Sequence, residues 1–165
     1  SMDTQTIIRT MVNQFWHHVT PSMRKRSVDL GLTVDQWVTL ASIIEKETGR
    51  KEEMPLIAAV FHNRLKRRMP LQSDPTVIYG MADFDGNLRK QDLLKKTPYN
   101  TYLFAGLPPG PIANPGLDAL QAALYPTDVA YLYFVSKNDG SHQFSDDLSQ
   151  HSKAVQKYQL RNRKP

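Results

Sequence analysis

Thr33-Val34-Asp35-Gln36-Trp37-Val38-Thr39-Leu40-Ala41-Ser42-Ile43-Ile44-Glu45-Lys46-Glu47-Thr48-Gly49 carries the signals of one helix with both ends marked. Thr33 and Gln36 stand at the spacing of a capping box, in which the hydroxyl accepts the third-residue N–H and the amide reaches back to the cap. Gly49 suits the left-handed residue that closes a helix. Val34, Trp37, Val38, Leu40, Ala41 and Ile44 form a broad apolar face. At ~100° per residue its centre lies about 70° from Glu45, about 90° from Glu47 and about 170° from Lys46. Lys46 therefore points to water, and the two glutamates flank the stripe. Glu45 continues the Val34–Val38–Ala41 row. A carboxyl there either snorkels to solvent or is partly desolvated, with a pKa raised enough to protonate a leaving group near neutral pH. The helical wheel favours Glu45 over Glu47 only slightly.

Upstream, Ile8, Met11, Val12, Phe15 and Val19 recur at helical spacing, which predicts an amphipathic helix ending before Pro21. A short basic helix over 23–30, closed by Gly31, comes next. Downstream, Pro55 opens a helix with Ile57, Phe61 and Leu65 on one face, running to Pro70. The short connection before it predicts an antiparallel pair with the 33–49 helix. Arg64 is placed to pair with Glu47 and leave it ionised.

The segment 71–80 starts extended, because the residue before proline avoids helical angles. Asp74 is then a candidate cap for a short turn ending at Gly80. Asp85-Gly86 marks a turn and Asp92-Leu93-Leu94 a brief helix. Residues 99–115 are too rich in proline for a regular element, and rigid polar–aromatic loops of this kind line clefts. Asn114 and Pro115 are expected to cap a helix with Leu117, Leu120, Ala123 and Leu124 inward. Residues 131–135 read as a strand, Asn138-Asp139-Gly140 as a turn, and His142-Gln143-Phe144 as the partner strand. A last helix over 147–160 turns Ala154, Val155 and Tyr158 inward. The expected class is α+β, a helix-rich domain with a small antiparallel sheet and a cleft.

At 165 residues the chain can bury a core beside a cleft. The boundaries expected are an N-terminal helical segment over 1–32 and a catalytic domain over 33–165. Ser1-Met2 has the look of an expression remnant, which predicts an excised domain of a longer protein. The longest apolar run, 56–61, is far too short to cross a bilayer. With no cysteine, disulfide and thiolate chemistry are excluded. The net charge of +5 draws on Arg24-Lys25-Arg26, Lys66-Arg67-Arg68 and Arg161-Asn162-Arg163-Lys164. These clusters lack interleaved aromatics and read as solvated helix ends rather than a nucleic-acid face. The five histidines do not fall at metal-ligand spacing, and no phosphate loop or nucleophile elbow is present. Carboxyls, amides, hydroxyls and tyrosines remain, a vocabulary suited to carbohydrate with no cofactor and no metal.

The runs 41–48, 63–65, 71–80, 99–102, 106–112 and 131–135, in that order, resemble the endolytic murein transglycosylase family, also called YceG-like. The resemblance implies non-hydrolytic cleavage of the MurNAc–GlcNAc β-1,4 bond in peptidoglycan, leaving a 1,6-anhydro-muramyl end. It implies that the first glutamate of the pair, Glu45, is the single acid and then base, its pKa raised beside Trp37, Val38 and Ala41. Gln72, Ser73, Asp74, Tyr79, Tyr99, Asn100, Thr101, Tyr102, Leu107 and Pro108 are the expected glycan-binding residues, with His142 and Phe144 weaker candidates. It further implies peptidoglycan strands and cell-wall synthesis machinery as partners. The expected location is the extracytoplasmic face of the membrane, reached through an N-terminal anchor not included here. The competing readings are a hydrolase using Glu45 with Asp74, and a glycan-binding module without catalysis.

Overall fold

The computed structural model describes residues 3–160. Seven α-helices appear among them: α1 Thr4–His18, α2 Pro21–Asp29, α3 Val34–Glu47, α4 Met54–Lys66, α5 Asp74–Tyr79, α6 Leu117–Leu124 and α7 Leu148–Val155. A hairpin of β1 Tyr133–Ser136 and β2 His142–Ser145 completes the helix-rich α+β fold. The basic run 161–164 lies outside the described residues. None of the described helices is long and apolar enough to cross a membrane.

The molecule is assembled around α3. Its capping box forms as the sequence predicts: Thr33 Oγ1 accepts the Gln36 N–H at 3.2 Å, and Gln36 Oε1 accepts the Thr33 N–H at 3.0 Å. Its end differs. Thr48 turns extended at φ −146°, and its hydroxyl accepts the Arg50 N–H at 3.0 Å. The left-handed closure expected at Gly49 is therefore absent.

Trp37, Leu40, Ala41, Ile43 and Ile44 are fully buried. They pack with Ile57 and Phe61 of α4 and with Ala119, Leu120, Ala123 and Leu124 of α6. The sequence pointed to α4 as the partner of α3, and the two do pack, but α3 meets α6 more extensively. Small alanines on α6 permit that close approach. The Trp37 indole N–H donates to Leu120 O at 2.8 Å, which satisfies the one polar atom of a wholly buried ring. Val19 and Met23 join the same core.

The helix α1 forms where expected, with Asp3 accepting the Thr6 N–H at 2.9 Å, yet it buries none of its residues. Ile7, Ile8, Met11, Val12 and Trp16 stay exposed. Two cap positions also move. Ser73, not Asp74, precedes α5, and Gly116, not Asn114, precedes α6. The strand β1 begins two residues later than the pattern suggested. Asn63 Nδ2 holds the carbonyls of Val129 and Tyr131 at 2.8 and 2.9 Å, tying that approach to α4. In the hairpin Tyr133 faces Ser145 and Ser136 faces His142, with Asn138 and Gly140 left-handed in the turn. Beyond Val155 the last helix widens into a π turn over Gln156–Leu160.

Candidate active site

The last turn of α3 presents Glu45 and Glu47 to one cavity of about 420 Å³, bordered also by Thr48, Lys51, Gly116 and Asp118. The two carboxyls have different partners. Glu45 Oε2 accepts the Gly116 N–H at 3.0 Å, the position preceding α6. Lys51, which lies close enough to feel the Glu45 charge, is itself paired with Asp118 at 2.6 Å. Glu45 thus anchors the start of α6 as a hydrogen-bond acceptor.

Glu47 borders the same cavity, with its carboxyl bonded to the 70–73 segment. Ser73 Oγ donates to Glu47 Oε1 at 2.5 Å. Protein surrounds this carboxyl closely although the residue as a whole keeps some exposed surface. Burial raises its pKa to about 7; the Ser73 hydrogen bond and Arg64 pull it down, and the nearby Asp74 charge pushes it up. A raised proton affinity is thus found at Glu47, the second glutamate of the pair.

Arg64 does not pair with Glu47. Its Nε donates to Leu132 O at 2.7 Å, and its Nη1 to Pro70 O, Leu71 O and Gln72 Oε1 at 3.0, 3.0 and 3.1 Å. Sequence reasoning missed this network. A signal was available: Ile57, Phe61 and Arg64 recur at helical spacing, which sets the arginine on the buried face.

Ser73 is buried against Glu47, while Gln72 and Asp74 on either side are exposed. Tyr102 Oη donates to Asp74 Oδ1 at 2.6 Å; burial first and this carboxylate second raise the phenol pKa. Tyr79, 52% exposed, and Tyr99 form an aromatic pair with ring centroids 4.7 Å apart. Four of the expected glycan contacts, Asn100, Thr101, Leu107 and Pro108, are turned into the protein. Asn100 has no exposed surface, and its amide donates to Leu93 O and Lys95 O at 3.0 and 2.8 Å. Thr101, equally buried, accepts the Ser73 N–H at 3.1 Å and bonds the Thr76 hydroxyl at 2.8 Å. Pro108 is buried too, and Leu107 packs against the core. Sequence does not show which hydroxyls and amides of this loop the chain itself consumes.

His142 lies on the hairpin, bonded through Nδ1 and its N–H to Glu53 at 2.7 and 3.0 Å. Phe144 packs against the core.

Fold and site together define a helix-rich α+β domain whose central helix ends in a desolvated carboxyl, Glu47, bonded to Ser73. The chain belongs to the YceG-like family, which it matches over residues 1–157. It is 42% identical over 157 residues to an endolytic murein transglycosylase of Bacillus subtilis (strain 168), covering 93% of this chain and 42% of that protein. It is 38% identical over 130 residues to the protein of that name from Streptococcus pneumoniae serotype 2 (strain D39 / NCTC 7466), covering 75% of this chain and 24% of that one. A crystal structure of a yceG-like protein from Listeria monocytogenes superposes with a TM-score of 0.83 at 38% identity, over 92% of this chain and 49% of that one. The chain spans less than half the length of these relatives.

Proposed function

We propose that this domain is the catalytic unit of an endolytic lytic transglycosylase that cleaves the MurNAc–GlcNAc β-1,4 bond of peptidoglycan, with Glu47 as acid and then base. The names of its relatives support the substrate and the reaction class. The observation that carries the choice of residue is the Ser73 hydroxyl bonded to a Glu47 carboxyl whose burial raises its pKa to about 7. A general acid works best with a pKa near the operating pH. Glu45, engaged as an acceptor by Gly116, is the weaker candidate.

Because Ser73 donates to Oε1, the proton of the neutral acid sits on Oε2. Glu47 passes that proton to the glycosidic oxygen as the bond from the muramyl C1 to it breaks. The resulting carboxylate removes the proton from the muramyl 6-hydroxyl while O6 bonds to C1. Glu47 is restored, no water enters, and the product carries a 1,6-anhydro ring. An internal nucleophile of this kind reaches effective concentrations of about 10⁵ M or more, which removes the need for a second carboxylate to activate water. Asp74, held by Tyr102, adds a charge that raises the Glu47 pKa. Tyr79 and Tyr99 supply faces on which pyranose rings stack, and Gln72 an amide for sugar oxygens. Such a substrate places the enzyme outside the cytoplasmic membrane, in reach of the machinery that synthesises the wall.

Digestion of purified peptidoglycan with mass analysis of the new ends tests this reading. The wild type is expected to release anhydro-muropeptides, Glu47→Gln to release none, and Glu45→Gln to keep measurable turnover. Reducing ends carrying an added water would make the enzyme a hydrolase. Activity in Glu47→Gln together with its loss in Glu45→Gln would return the role to Glu45.

A further inference from the structure

Arg64 is 7% exposed, yet no carboxylate lies within ion-pair distance of it among the described residues. A buried cation is costly unless its N–H groups find acceptors. Here they find the three carbonyls and one amide oxygen described above, and the guanidinium carbon sits 5.2 Å from the centroid of the Tyr133 ring. Two of those carbonyls and the amide belong to the residues immediately before Ser73, the donor to Glu47. The last of them, Gln72, holds φ at +52°, a left-handed conformation that a residue with a side chain rarely adopts. Its backbone N–H is fixed by Thr101 O at 3.0 Å and its side chain by Arg64.

The chemistry of that side-chain contact has a direction. A guanidinium has donors only, so Gln72 must turn its Oε1 inward and its NH₂ away from Arg64. Gln72 is an exposed residue, one position from the Ser73 that bonds Glu47. We infer that Arg64 is a positioning residue: it fixes the polarity of the Gln72 amide, so that Gln72 offers N–H donors to an acceptor oxygen of the glycan, and holds the chain that aims Ser73 at Glu47. The acceptor is an acetamido carbonyl or a muramyl carboxylate, both hydrogen-bond acceptors, and a sugar stripped of them loses the contact. The inference rests on the reading of Glu47 given above.

The test compares Gln72→Glu, Arg64→Lys and Arg64→Gln with the wild type on solubilised glycan strands. Gln72→Glu keeps an oxygen for Arg64 but presents an acceptor outward, so KM is expected to rise about tenfold or more with kcat changed little. Arg64→Lys keeps the charge and loses the fork, so kcat is expected to fall about tenfold or more with the alkaline limb of the pH profile unmoved. Arg64→Gln removes the charge as well and is expected to shift that limb to higher pH, because the cation holds the Glu47 pKa down. An unchanged KM in Gln72→Glu overturns the inference, as does wild-type kcat and pH profile in both Arg64 variants. Circular dichroism establishes folding, and should the Arg64 variants fail to fold, Gln72→Glu decides alone. Binding of uncleaved strands by Gln72→Glu, read as Kd, separates the two ideas. Weakened binding upholds the Gln72 contact even where Glu47→Gln stays active, and unweakened binding rejects it even where Glu47→Gln is dead.

Discussion

Glu45 and Glu47 leave the same turn of α3, and what separates them is the neighbour each one meets. The helical wheel placed both on the flank of the apolar stripe. The deciding contact for Glu47 comes from Ser73, 26 residues away, which no local pattern reveals. The same contact has a thermodynamic signature. A carboxyl whose pKa rises from 4.5 to about 7 on folding binds its proton more tightly in the native state. Its contribution to stability is therefore full below the unfolded value and is lost as pH rises through about 7, an effect on the order of 3 kcal/mol at most. Glu47→Gln is accordingly expected to gain stability relative to the wild type between pH 5 and pH 8, measured by urea unfolding at each pH. A constant difference across that range would contradict the desolvation of this carboxyl. Burial lowers the pKa of His62 and of His151, so their contribution runs the opposite way. It is present above the ordinary histidine value and lost as pH falls below it.

Among the elements, those bounded by local chemistry were legible in sequence. The capping box of α3, the Gly31 stop, the Asp85-Gly86 turn and the hairpin turn at 138–140 all stand where the residues place them. Thr33→Ala should cost about 1 kcal/mol of unfolding free energy, the usual worth of such a cap. Elements whose ends are fixed from a distance were less legible. The cap positions of α5 and α6 and the start of β1 depend on Glu45, Thr101 and Asn63, residues far off in the chain. The 99–102 turn illustrates the cause. Asn100 and Thr101 have a sugar-binder's chemistry but spend it on the backbone of their own fold. Asn100→Ala leaves the carbonyls of Leu93 and Lys95 without that donor and should destabilise by about 1–3 kcal/mol, measured by urea unfolding. Unchanged stability, with weakened glycan binding instead, would restore Asn100 to the binding wall.

At the scale of the whole molecule, helices bury the core and the hairpin is fastened to them by polar contacts. Glu53 at the approach to α4 holds the His142 ring and N–H, and Arg50 donates to Asp139 O at 3.0 Å. Both members of the Glu53–His142 pair are nearly buried. Glu53→Ala is expected to destabilise by about 2 kcal/mol or more in urea, since it strands the His142 donors. Val19, which apolar spacing anticipated, and Met23 of α2 share the core. Spacing gave no warning that α1 would leave its own Ile8, Met11 and Val12 exposed. Periodicity tells which residues face one way, and a folded partner decides whether anything meets them.

The bond from Arg64 to Leu132 O joins the approach to β1 to the loop that carries Ser73. Damage to the C-terminal hairpin would then surface as a kinetic defect, reaching Glu47 mechanically across some 85 residues of sequence without a single cleft atom being replaced. On the role proposed for Glu47, a truncation or tag that disturbs residues 132–145 is a change to the site itself.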